Sequence, residues 1–339
     1  MELLTLQEAL DAFYKKNSIN PALITGRYEP DKCLDQRLFQ LGEKAEEWLE
    51  TYCSGERSAL IQLLACYQYF TDAQMLQIWQ TIFDRLDEEL IRYEIPWSNI
   101  LFVTTESQKG VKSGAANIQA DFLKVSMDVI EKDQIITTLD KQPLTRLDHI
   151  HAVVFLDDIV ATGFTMKSTI KTFIEYFKLS ELNPTNIRFF WASAVYTKRG
   201  ERFLSKLKCE FPWLRLEQIA GVRLESLFHL KPEMRKIESI LQQVEERVDS
   251  YRIEASAVDG GDGRKSYIMG FEACKLLVST YYDTPNNTMC TFWKVTNQNK
   301  PPFRRLNQPC TLYRCQLKKR RTGDIAYTAA KLKDISNET

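Results

Sequence analysis

Through the first 95 residues, apolar positions recur at steps of three and four in LDQRLFQLGEKAEEWLETY, SALIQLLACYQYF and AQMLQIWQTIFDRLDEEL, the period of helices that bury one face. MELLTLQEALDAFYKKN has the same amphipathic pattern, and breaks at Ser54-Gly55 and Thr71-Asp72 separate the segments. The pattern predicts a purely helical lead, with no strand before residue 96. Pro96 stops the last helix, and from Ile100 the character changes. The apolar runs ILFVTT, AVVFLDD, IRFFWASAVY and LRLEQIAGV alternate with helical segments at Ser113 to Lys124, MKSTIKTFIEYF and GERFLSKL. Strands that are apolar throughout and alternate with helices predict a doubly wound α/β domain on a parallel sheet.

The series also includes the short run LKVSMDVI. One connection departs from its regularity: the polar stretch EKDQIITTLDKQPLTRLDH (131 to 149) is longer than a normal connection, which predicts a mobile loop or a small hairpin. Past residue 230, a charged helix is predicted from about Pro232 to Ser250, followed by a glycine-rich joint at Val258 to Ser266. KLLVSTYY and NTMCTFWKV flank DTPNN, predicting a β-hairpin whose turn uses Pro285 and Asn286. From Lys300 to Lys333 a run of basic residues faces only Asp324. The division is thus 1–95, an N-terminal helical segment; 96–230, an α/β core; and 231–339, a C-terminal extension with long helix, β-hairpin and basic tail.

Composition narrows the function classes. With 44% apolar and 27% charged residues among 339, the chain can bury a large core. Its 45 basic residues equal its 45 acidic ones, so net charge gives no attraction to nucleic acid or membrane, and any basic surface is local. No apolar run approaches the roughly 20 residues that span a bilayer, and the N-terminus lacks a signal-peptide cleavage pattern; a cytoplasmic protein with no membrane partner is expected. The eight cysteines form no CxxC pair and read as reduced, structural residues. His149, His151 and His229 show no HxxxH or HExxH spacing, which argues against zinc. Trp48, Trp79, Trp191 and Trp293 lie at apolar-periodic positions and read as core.

The chemistry is concentrated in AVVFLDDIVATGFT, Ala152 to Thr165. In a parallel sheet, ligands collect where strands end at their carboxyl rim, and Asp157 and Asp158 emerge there. Two adjacent carboxylates repel each other unless hydroxyl or metal donors sit between them, and a ribose diol supplies two hydroxyls. The following loop has small residues, Gly163 free to take positive φ, and the Thr162 and Thr165 hydroxyls. A helix begins at its end, and its first-turn N–H groups favour an anion. The competing reading is a pair of solvated strand-end acids and an ordinary threonine N-cap.

This segment resembles the phosphoribosyl-diphosphate (PRPP) signature of the type I phosphoribosyltransferases. The resemblance implies that Asp157 and Asp158 hold the ribose 2′- and 3′-hydroxyls as the catalytic pair, that Ala161, Thr162, Gly163, Phe164 and Thr165 cradle the 5′-phosphate, and that Mg²⁺ accompanies PRPP, touching Asp157 and Asp158 directly or through water. Phe164 departs from the family pattern, standing where a small or polar residue is usual. A second loop for the diphosphate is expected after an earlier strand, and ESQKGVKSGAAN supplies Lys109, Gly110, Lys112, Ser113 and Gly114. Stretch 131 to 149, with Lys132, Lys141 and Arg146, could close over the site.

AEEWLETY, LLACYQYF, the GVKSG loop, DDIVATGFT and DTPNNTMCTFW together resemble a narrower group, the phosphoribosyltransferase-like proteins of bacterial conflict systems, anti-phage and retron-associated. That resemblance implies an effector role in defence. Asn286 and Asn287 could hold a ligand edge or simply build a turn. Three function classes follow: a PRPP-dependent transferase, a non-catalytic PRPP or nucleotide sensor, and an interaction protein whose basic tail contacts a nucleoprotein partner. Self-association stays open in each.

Overall fold

The computed structural model describes residues 4–21, 24, 37–104, 113–126, 129–136, 149–179, 186–250, 267–296 and 298–305. Thr5 opens α1 (Leu6–Lys16) with a capping box to Glu8, which satisfies N–H groups the helix leaves unpaired. Helices α2 (Leu41–Glu50) and α3 (Ser54–Cys66) follow. The YQYF run does not continue α3, as its periodicity predicts. Tyr67 is extended, and β1 (Gln68–Phe70) is a strand inside the helical lead; aromatic residues favour the pleated backbone once a partner strand is present. Helix α4 (Asp72–Arg92) starts with a capping box of its own, Thr71 with Gln74, and buries Met75, Trp79, Ile82, Leu86 and Leu90 on one face.

The central runs form a five-stranded, all-parallel sheet: β2 (Ile100–Thr104), β3 (Ile135–Ile136), β4 (Ala152–Val160), β5 (Arg188–Thr197) and β6 (Leu216–Leu224), in the spatial order β3-β2-β4-β5-β6. Part of the polar 131–149 stretch is therefore the edge strand β3, with residues 137–148 outside the described ones. The LKVSMDVI run contributes the last turn of α5 (Ser113–Val125). Ile118 and Phe122 of α5 pack with α4 on one sheet face, while Met166, Ile170 and Phe173 of α6 (Phe164–Leu179) pack on the other. The second face is completed by α7 (Lys198–Ser205) and α8 (Leu207–Glu210). The chain therefore winds outward in opposite directions from β2 and β4, and the order reverses between them. Such a switch point opens a crevice at the carboxyl ends of the two strands.

Past the sheet come α9 (Leu227–Leu230), a 3₁₀ turn at Pro232–Ile237 and α10 (Glu238–Ser250). The expected β-hairpin around DTPNN is absent. Instead β7 (Val278–Thr280) pairs in parallel with β1, Thr288 makes an isolated parallel bridge to Leu276, and Cys290–Phe292 is a 3₁₀ turn. Buried hydroxyls explain the difference, because they bond locally and to neighbouring segments instead of leaving a strand free to fold back. Thr288 Oγ1 donates to Val278 O (2.7 Å), Thr284 Oγ1 to Phe303 O (2.7 Å) and Trp293 Nε1 to Thr288 O (2.8 Å). The segment shares one apolar core with α1, α2, α3 and α10 through Phe13, Trp48, Leu241, Phe292 and Phe303.

Two buried acids pin it further. Asp121 of α5 accepts the hydroxyls of Tyr281 (2.5 Å) and Tyr282 (2.7 Å), and Tyr282 in turn accepts Trp79 Nε1 (2.9 Å). Burial and the adjacent carboxylate push both phenols up. Glu245 of α10, fully buried, accepts the backbone N–H groups of Met269 (3.0 Å), Cys290 (2.7 Å) and Thr291 (2.8 Å). Residues up to Arg304 make one compact unit. The glycine-rich joint and the basic tail beyond Arg305 lie outside the described residues.

Candidate functional site

Strand β2 ends at Thr104, paired with Leu156, whereas β4 runs on to Val160 with β5 beside it. Asp157 and Asp158 therefore stand past the end of β2, at the switch point, while Asp157 still pairs with Ser193 on the other side. The strand is irregular here. Asp157 Oδ1 accepts the N–H of Asp158 (3.1 Å), Asp158 Oδ1 accepts that of Ile159 (2.9 Å), and Ser193 Oγ accepts that of Val160 (3.2 Å). Three consecutive amides are thus bonded to side-chain oxygens. Leu156 and Ile159 both join the core under α4 and α5, while Phe155 and Val160 join the one under α6. The in-out alternation is thus reset across the two acids, while the register with β5 is unchanged. Each half-buried carboxylate is held in one orientation by its neighbour's N–H.

The loop that follows is fixed by its surroundings. Ala161 O accepts Thr197 Oγ1 (2.6 Å), and the same hydroxyl accepts the N–H of Gly200 (3.1 Å) in the first turn of α7. Gly163 has φ +80°, in the left-handed region that suits glycine, and an added Cβ would lie 3.1 Å from Gly200 O and from Phe203 Cδ1. An added Cβ on Gly200 would meet Val160 O at 2.5 Å. The loop backbone and the start of α7 are fitted to each other without room for a methyl group. Gly163 O accepts the N–H of Lys167 (2.8 Å), so α6 is wound directly onto the loop. Thr162 is buried and Thr165 exposed.

Phe164 does not turn into the core. Its ring packs against Phe203 (4.6 Å between centroids) and edge-on to Phe271 (6.5 Å). The segment carrying Phe271 is tied to α7 by Arg199, which donates to the Glu272 carbonyl and pairs with its carboxylate (3.2 Å). Met269, Gly270, Glu272, Ala273 and Lys275 all have positive φ. Gly270 meets a close approach there, since an added Cβ would lie 2.1 Å from Asn287 O.

The sequence-predicted residues divide clearly. Asp157, Asp158, Ala161, Thr162, Gly163, Phe164 and Thr165 lie on one strand end, loop and helix start. Ser113 and Gly114 open α5, the helix that follows β2, while Lys109, Gly110 and Lys112 lie outside the described residues. Asn287 is buried and donates to Cys274 Sγ (3.6 Å), and Asn286 O accepts the N–H of Phe271 (2.8 Å), so both act within the segment's own architecture. His151 bonds through its backbone to Asn99 and Arg188 at the amino end of the sheet, away from the rim. Sequence reasoning missed Ser193, Thr197, Gly200 and Phe203. The available signal was the small-residue run Ala192-Ser193-Ala194 in an otherwise bulky strand, followed by a capping threonine and a glycine.

A doubly wound α/β sheet with an acid pair and a TGFT loop at its switch point defines a phosphoribosyltransferase-like protein. The sequence profile of the PRTase-CE family matches residues 45–305, and the chain belongs to that family. None of the curated proteins compared with the chain matches it. Among solved structures, the AQ2163 protein from Aquifex aeolicus aligns at 16% identity over 54% of this chain and 83% of its own, with a TM-score of 0.26. No described helix is long and apolar enough to cross a membrane.

Proposed function

We propose that the chain binds PRPP, or a related ribose 5-phosphate nucleotide, at the carboxyl end of β4. The observation that carries this is the loop of residues 161–163, held by Thr197 and Gly200 and turned by a left-handed Gly163 at the switch point of the sheet. A loop shaped before ligand arrives loses little entropy on binding. In this reading Asp157 and Asp158 accept the ribose hydroxyls. The amides at the start of α6, with the Thr162 and Thr165 hydroxyls, take the 5′-phosphate. The loop after β2, with Lys109, Gly110, Lys112, Ser113 and Gly114, takes the diphosphate.

Mg²⁺ fits this donor set as a cation carried by the ligand. Among the described residues no three His, Cys, Asp or Glu side chains are grouped to hold a metal by themselves. Asp157 and Asp158 would complete a shell made mostly of ligand oxygens and water. Bound there, the ion would offset the diphosphate charge.

Replacing both acids, Asp157→Asn with Asp158→Asn, is expected to weaken PRPP binding by more than about a hundredfold, since each charge-assisted hydrogen bond contributes roughly 1.5–3 kcal/mol. Titration calorimetry on the folded double variant measures it, and an unchanged affinity sinks the proposal. Diphosphate release in the presence of an acceptor base marks a transferase; binding without release across a panel of bases marks a sensor. By its resemblance to conflict-system proteins, we further place the chain as an effector of anti-phage defence. The double variant should then lose protection in a phage plating assay. The basic tail is proposed to contact a nucleoprotein partner, with retention that falls steeply as salt rises.

A further inference from the structure

We infer that the phosphate loop continues into an aromatic platform for a second planar group, so that besides PRPP the site takes a ribose 5-phosphate with a free 2′,3′-diol whose phosphate is esterified to a second nucleoside. This rests on reading residues 157–165 as a ribose 5-phosphate site. Phe164 lies within that loop and is 45% exposed, one of the few large apolar side chains so placed among the described residues. Three rings from three separate segments meet there: Phe164 from the loop, Phe203 from α7 and Phe271 from the segment tied to α7 by Arg199. None of the three belongs to the apolar cores of the fold.

Cations lie close by. Lys167 Nζ, paired with Glu210, sits 4.8 Å over the Phe203 ring, the Arg199 side chain, paired with Glu272, is 48% exposed, and Lys198 and Arg202 of α7 are exposed. One exposed ring backed by two partly buried ones, with cations on the neighbouring helix turns, suits a stacked base and its phosphates. A terminal monoester phosphate has no covalent continuation that could reach Phe164, whereas an esterified one leads directly from the loop onto the rings.

Two sources present this chemistry, a nucleotide bridged through diphosphate to a second nucleoside and the 3′ end of an RNA. The test measures affinities of the full chain for ADP-ribose against ribose 5-phosphate, and for adenylyl-(3′,5′)-adenosine against AMP. At least one esterified ligand should bind about tenfold or more tighter than its control, the effect of one base stacking on an aromatic ring. Phe164→Leu, which keeps apolar volume without a ring, and Phe271→Ala should each bring that ratio toward one. A general folding defect weakens ligand and control alike and leaves the ratio intact.

Ratios near one in the wild type, or ratios that survive both variants, overturn the inference. Which arm shows the preference identifies the source. If the controls do not bind, or bind the Asp157→Asn, Asp158→Asn variant equally well, the ribose 5-phosphate reading itself fails and this inference falls with it.

Discussion

Glu245→Ala is expected to lower the unfolding free energy by about 4 kcal/mol, because it leaves three buried backbone N–H groups without an acceptor at roughly 1–3 kcal/mol each. The donors belong to Met269, Cys290 and Thr291, so this carboxylate on α10 joins two separated stretches of the C-terminal segment. Burial pushes the carboxyl up to about 7 from its ordinary 4.5, against the pull of its three donors. With the folded value above the unfolded one, the group's contribution to stability is complete below pH 4.5 and is lost as the pH rises through about 7. Glu245→Gln keeps the shape but turns an amide N–H toward a backbone donor, so it should cost less than alanine and abolish that pH dependence. Urea unfolding of the three proteins from pH 4.5 to 7.5 measures both effects. A loss below 1 kcal/mol for Glu245→Ala, or an unchanged pH profile in Glu245→Gln, would count against this role.

Gly200→Ala is expected to remove detectable PRPP binding and to destabilise the fold by about 2 kcal/mol, the usual range for forcing an extra methyl into a packed site. Its new Cβ would stand 2.5 Å from Val160 O and 3.0 Å from Ala161 O. Both contacts are backbone, so the loop itself must shift. The same displacement breaks the fit between Ala161 O and Thr197 Oγ1. Gly55→Ala is the control: nothing lies within 4 Å of its added Cβ, and it sits in the first turn of α3, where alanine is the better helix former. Binding measured by calorimetry should be lost in the first variant and intact in the second. Full affinity in Gly200→Ala would show that the loop is not held in the way described.

The sheet was legible because buried parallel strands are apolar along their whole length, as in AVVFL and IRFFWASAVY. The acid pair and TGFT loop were legible because their chemistry is contiguous in the chain. What escaped depends on partners distant in sequence. The three-residue strands β1 and β7 have no pattern of their own and exist through each other. Thr197 and Gly200 look like an ordinary helix start until α7 is seen against residues 160–163. Glu245 was hidden in a helix that reads as charged and solvated, although Leu241, Val244 and Val248 place it on the buried face. A carboxylate at an apolar-periodic position was the signal. Phe164, which departs from the family pattern where a small or polar residue is usual, takes its packing from Phe203 and Phe271, neither of which the motif contains.

A crystal structure of the protein grown with PRPP and Mg²⁺ tests most directly whether the end of β4 and the loop after it form a ribose 5-phosphate site. The ribose hydroxyls are expected within hydrogen-bond distance of the Asp157 and Asp158 carboxylates, and the 5′-phosphate against the amides of residues 162–165. PRPP bound elsewhere on the protein, with the 157–165 site empty, would contradict it.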